Sequence, residues 1–205
     1  MSMKTMRMCT LIKCVSLAAV VAVTASCGDV VRSSRSPVML VLTSITGGDD
    51  ESSFLLSDVL GSRTSPAPCS EDSPCPTIFN DPGSASVAVV MKDASLAPTT
   101  NNTVTIRRYH IDYKRSDGRN TPGVDVPFPI DGAVTFSVDA GSTGEFGFEL
   151  VRHTAKAEPP LVQLVQNPTH ITTVATVTFF GTDQVGNDLS ATGSIVIDFA
   201  NFGDE

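Results

Sequence analysis

Apolar residues in this chain recur at every second position over short stretches, and glycine, proline, asparagine or aspartate ends each stretch. Val134, Phe136 and Val138 alternate with smaller or polar residues, as do Phe146, Phe148 and Leu150 and, near the end, Ile195, Ile197 and Phe199. A period of two places an apolar set on one face of a strand, whereas an amphipathic helix needs a period near 3.6. No long stretch has the helical period, so the chain is expected to be all-β.

Taken in order, Val38 to Ile45 is a branched apolar run that suits a first strand, and Gly47 to Asp50 a turn. Phe54 to Leu60 reads as a strand or a helical turn or two. Residues 61–83 form the longest irregular piece, rich in proline and closed by an Asn80-Asp81-Pro82-Gly83 turn. Val87, Val89 and Met91 mark a second good strand. Thr103 to Arg115 is the most informative element. Val104 and Ile106 share one phase, while Tyr109, Ile111 and Tyr113 share the other. A strand with one buried face cannot change phase without an inserted residue, so a β-bulge is expected around Arg107-Arg108. The next two strands, through Val138 and from Phe146, flank a turn at Gly141 to Gly144 and make a hairpin or a sheet corner. Pro159-Pro160 blocks a continuous helix, leaving a short helix or an extended crossover before Val174 to Phe180. After a loop over Gly181 to Asp188, Ser194 to Phe199 is the last strand, with Ile195, Ile197 and Phe199 facing inward.

This count gives seven to eight strands, which the rules for packed layers resolve into a two-sheet sandwich or a small barrel. The fold favoured is an immunoglobulin-like antiparallel two-sheet β-sandwich with one long Pro/Cys-containing loop. The likeness is to a pattern of short strands, since the tryptophan expected between paired cysteines is absent.

The first 27 residues are of another kind. Lys4, Arg7 and Lys13 precede a short apolar stretch that ends in Thr24-Ala25-Ser26-Cys27. This is the pattern of a secretory leader, too brief to span a bilayer with the roughly 20 apolar residues a permanent helix needs. Small residues immediately before a cysteine resemble the lipobox of bacterial lipoproteins, with Thr24 where that family usually has leucine. The resemblance covers the leader alone. It implies cleavage before Cys27, a lipid on the Cys27 thiol and attachment to a membrane outside the cytoplasm. Gly28, in place of a retaining aspartate, implies outer-membrane sorting where an outer membrane exists. The rival reading is plain secretion with cleavage near Ala25 or Ser26. The resulting division is a signal peptide over 1–26, anchor and tether over 27–37, and one β-sandwich domain over 38–205.

Removing the leader takes away three basic residues and no acidic ones, leaving 11 basic against 22 acidic residues and a formal charge of −11. Such a surface repels nucleic acid, which is excluded as a partner class. Cys69 and Cys75 are the only cysteines after Cys27. In an exported chain they are expected to form a disulfide that staples a short loop. Free thiols and a redox pair are the alternatives. No histidine lies near them in sequence to complete a four-ligand zinc site.

Candidate chemistry is sparse. Asp183, Asn187 and Asp188 lie in a glycine-containing loop and offer oxygen ligands to calcium, with Asp49, Asp50 and Glu51 as further donors from another loop. A turn that uses Asp and Asn to bond its own backbone explains the same residues. Arg107, Arg108, Lys114 and Arg115 make a small basic focus that can bind an anion or pair across strands with carboxylates. His110 is expected on the face opposite Tyr109 and Tyr113, and His153 and His170 are too distant in sequence to form a local metal motif with it. There is no Gly-x-Ser-x-Gly nucleophile elbow and no phosphate-cradling or dinucleotide motif. The chain is therefore expected to be a membrane-anchored extracytoplasmic binding or scaffolding protein with a protein partner. An extracytoplasmic hydrolase with a site assembled from loops, or a structural subunit of a surface assembly, are the alternatives.

Overall fold

The computed structural model describes residues 35–48, 53–167 and 169–202. Cys27, Asp49, Asp50 and Glu51 lie outside them. Among the described residues the fold is all-β, with eight strands in two sheets and a small two-stranded ribbon. One of the sheets curls into a half-barrel. Strands β1 (Val38–Gly47), β5 (Asp81–Met91) and β8 (Thr143–Val151) form the smaller sheet in the order β1-β5-β8. Strands β2 (Phe54–Asp58), β6 (Val104–Lys114), β7 (Ile130–Val138), β9 (Ile171–Asp183) and β10 (Asp188–Ala200) form the larger one in the order β2-β10-β9-β6-β7. Between β2 and β5, the ribbon strands β3 (Gly61–Arg63) and β4 (Cys75–Thr77) bracket the disulfide-bearing loop.

The inward faces follow the alternation of the sequence. Ala85, Val87 and Val89 of β5 and Phe146, Phe148 and Leu150 of β8 are buried against Ala175, Val177 and Phe179 of β9 and Ile195, Ile197 and Phe199 of β10. Phe179 sits at the centre, its ring centroid 5.1 Å from Phe146 and 5.2 Å from Phe148, both in edge-on geometry. Such contacts add to the apolar area they bury.

The bulge lies where the phase change places it. Both ladders of β6, to β7 and to β9, shift register between Ile106 and Arg108. The extra residue lets Ile106 and Tyr109 both face the core while Arg107 and Arg108 both face solvent. The two core tyrosines then tie β6 to the edge strand of the opposite sheet. Tyr113 Oη donates to the Leu150 carbonyl at 2.7 Å, and Tyr109 Oη accepts from the Glu149 N–H at 3.3 Å. Burial raises both phenol pKa values above their ordinary range.

Several expectations need correction. The pairing is not wholly antiparallel, because β2 runs parallel to β10, with Phe54 opposite Val196 and Asp58 opposite Ala200. Asn80 to Gly83 is not a turn. Strand β5 starts at Asp81, and Pro82, which has no N–H to give a ladder, sits at a register shift in the pairing with β8. Strands β7 and β8 belong to different sheets, so of the two expected arrangements at Gly141 the sheet corner is the one formed. The positive φ of 84° at Gly141 favours glycine, and its N–H donates to Val89 O at 2.7 Å. After β8 the chain makes one helical turn, α1 (His153–Lys156), and a 3-10 turn over Leu161–Val165 beyond the proline pair.

Candidate functional site

The disulfide forms as expected, joining Cys69 to Cys75 with Cα atoms 5.4 Å apart. The other sequence candidates fall into separate places. Asp183 Oδ1 accepts the N–H groups of Val185 and Asn187, and its Oδ2 accepts the Asn187 side-chain amide. Burial alone would raise its pKa, but these bonds and one from Ser36 hold it below the usual carboxylate range. Its oxygens thus organise the β9–β10 turn. Asp188 lies within β10 opposite Thr182, and among the described residues no three metal-ligating side chains gather.

The four basic residues divide into two places. Arg108 lies over the Phe180 ring, its guanidinium carbon 3.7 Å from the centroid. Lys114 is six residues further along the strand, about 20 Å away at the usual rise. Arg115 holds Asp117 through two guanidinium bonds, at 3.2 and 2.6 Å, and Arg119 holds the same carboxylate. His110 lies on the outer face, with Nδ1 2.9 Å from Asp131 and Nε2 3.3 Å from Asp112. His153 instead meets Asn80 Oδ1 at 2.8 Å, so it shares no partner with His110.

Pattern reading missed two features. The first is an apolar row on the outer face of the larger sheet. Phe54 of β2, Val196 of β10 and Val174 of β9 stand side by side in register, 48%, 39% and 38% exposed, with Leu56 beside them at 54%. An open groove adjoins the row, lined by Leu56, His170, Asp198, Asn201 and Phe202. Asp198 Oδ1, buried at the groove, has no hydrogen-bond partner among the described residues. Single strands could not reveal the row, since its members come from three strands and the pairing of β2 is non-local.

The second is a charged cluster inside the protein. Lys156 Nζ donates to Asp81 Oδ1 at 2.6 Å and to the Asp58 carbonyl at 2.7 Å, while Ser57 Oγ donates to Asp81 Oδ2 at 2.5 Å. Burial pushes the Asp81 carboxyl up, and this outweighs the opposing pull of Lys156 and Ser57.

No protein-family model matches the chain, and no curated protein does. Among solved structures the chain is similar to one described as Northeast Structural Genomics Consortium target SoR45, at 8% identity and a TM-score of 0.35, over 78% of this chain and 86% of that one. That likeness carries no argument for fold detail or function.

Proposed function

We propose that the protein is a lipid-anchored extracytoplasmic binding protein whose single domain, residues 38–205, is an immunoglobulin-like sandwich. Strand order supports the fold: β1-β5-β8 corresponds to strands A-B-E of that architecture, and β10-β9-β6-β7 to G-F-C-C′. Tyr109 on β6 packs against Phe179 on β9, where an immunoglobulin domain packs its strand C tryptophan on a disulfide. The disulfide present here is elsewhere, in the β3–β4 loop, and suits an oxidising compartment.

The apolar row of Phe54, Val196 and Val174 carries the binding reading. An exposed apolar strip across three strands suits a protein surface better than a small molecule, which needs an enclosing pocket. Its position supports the same reading. Ser36 is buried and bonds Asp183, and Lys92 N–H donates to Pro37 O at 2.9 Å, so the tether meets the domain beside the β9–β10 turn. Cys27, nine residues before Ser36, can lie at most about 30 Å from that point. The row lies eight to nine residues along β9 and β10 from the turn, about 30 Å toward the far end. A tether of that length leaves room for the row to stand clear of the membrane.

The test is native mass spectrometry of the protein extracted from its own membrane, alongside a Val174→Lys/Val196→Lys variant. The reading expects an acylated chain with a co-purifying protein that the variant loses at unchanged melting temperature. A chain without acyl mass, or a partner retained by the variant, overturns it.

A further inference from the structure

Lys156 ends α1 with its side chain 1% exposed, the largest fully buried side chain among the described residues. Two of its three ammonium protons have partners, on Asp81 and on the Asp58 carbonyl. An ion pair in such a place bears the desolvation of both charges, and the third proton has no partner among the described residues. An amide in place of the pair carries no charge and a single N–H donor, so it removes both costs. A hydrogen-bond contact of 2.6 Å places Nζ within about 3.5 Å of Cγ, which meets the distance condition for attack and leaves a rotation of the carboxyl to turn its face to the amine.

The surroundings also match the product. An amide at this position has one N–H and one carbonyl oxygen to satisfy. The Asp58 carbonyl stands ready to accept the N–H, and Ser57 Oγ already donates to the Asp81 oxygen that would remain. Ser57 and Lys156 are fully buried and the Asp81 side chain is 14% exposed, so water reaches the centre only from the Asp81 side.

We propose that Lys156 and Asp81 become joined by an intramolecular isopeptide bond. The Nζ lone pair attacks Cγ of the protonated Asp81 carboxyl, and the bond from Cγ to Oδ1 breaks. Oδ1 leaves as water, carrying the carboxyl proton and one amine proton. Nothing is oxidised or reduced, and no co-reactant is needed. The bond staples the start of β5 to α1 across 75 residues of sequence. It does not depend on the anchor or on the partner-binding row.

The test is tryptic mapping of the full chain after reduction and denaturation. The proposal expects the peptides containing Lys156 and Asp81 to be recovered only as one branched species, 18 Da below their summed mass, with no cut after Lys156. A Lys156→Gln chain should yield the Asp81 peptide alone and unmodified. If that variant does not accumulate, the wild-type map decides by itself. Separate peptides with a normal cut after Lys156, or an 18 Da loss located at another residue, overturn the proposal.

Discussion

Gly132 in β7 lies opposite Tyr109 in β6, and the tyrosine ring occupies the space where any other residue would carry its Cβ. A Cβ at this position would stand 2.1 Å from Tyr109 Cζ and 2.4 Å from its Oη. Both belong to a rigid ring in the core, so Gly132→Ala leaves two routes. If the ring stays, β7 must shift, and overpacking of this kind costs about 1–3 kcal/mol. If the ring leaves, it gives up the Glu149 hydrogen bond, about 1 kcal/mol, and its edge-on contact with Phe148, about another 1 kcal/mol. By either route the expected loss lies within about 1–3 kcal/mol, which for a domain of this size lowers the melting temperature by roughly 2–12 °C. Gly147→Ala in β8 is the control, because its nearest neighbour would be Gly83 O at 3.8 Å. That substitution should leave the melting temperature unchanged or raise it slightly, since glycine is a poor strand residue. Thermal denaturation followed by circular dichroism compares the two. Equal melting temperatures for Gly132→Ala and Gly147→Ala would refute the placement of Tyr109 over β7, and with it the register across the bulge.

Other outcomes follow from the same geometry. Tyr113→Phe strips the buried Leu150 carbonyl of its 2.7 Å donor and should cost about 1–2 kcal/mol in urea unfolding, more than Tyr109→Phe, whose bond is longer; the reverse order would contradict the cross-sheet ties. Reducing the Cys69–Cys75 bond should cost about 2 kcal/mol at most and expose residues 61–77 to proteolysis, whereas an equally resistant loop would show that the ribbon holds without it. Asp117, bonded first by the Arg115 side chain and then by Arg119, should titrate at about 2 by NMR. Because its folded pKa is depressed, its stabilising contribution is present above the ordinary value of 3.8 and disappears as pH falls through about 2; a midpoint near 3.8 would sink the claim.

Legibility from sequence tracked how local the cause was. The bulge could be read because Ile106 and Tyr109 must both be buried in one strand, and a single inserted residue is the simple solution. The disulfide was legible because its two cysteines are six residues apart and the only ones after Cys27. The start of β5 was not, since Asp81-Pro82-Gly83 has turn chemistry and becomes strand only through β1 and β8 on either side. Gly83 fits there because Phe148 Cζ would approach within 3.0 Å of a Cβ. The apolar row and the Lys156 cluster depend on strands far apart in the chain. Lys156 in particular sits in a polar-looking segment, where sequence gives a lysine no reason to be buried.

Export and acylation stand behind the functional reading, and the N-terminal peptide of the membrane-extracted chain tests them most directly. Its mass should correspond to cleavage before Cys27 with acyl chains on that residue, and a Cys27→Ser chain should lose both the lipid mass and the membrane association. An N-terminus that still begins at Met1, on a cytoplasmic chain with Cys69 and Cys75 reduced, would contradict the account.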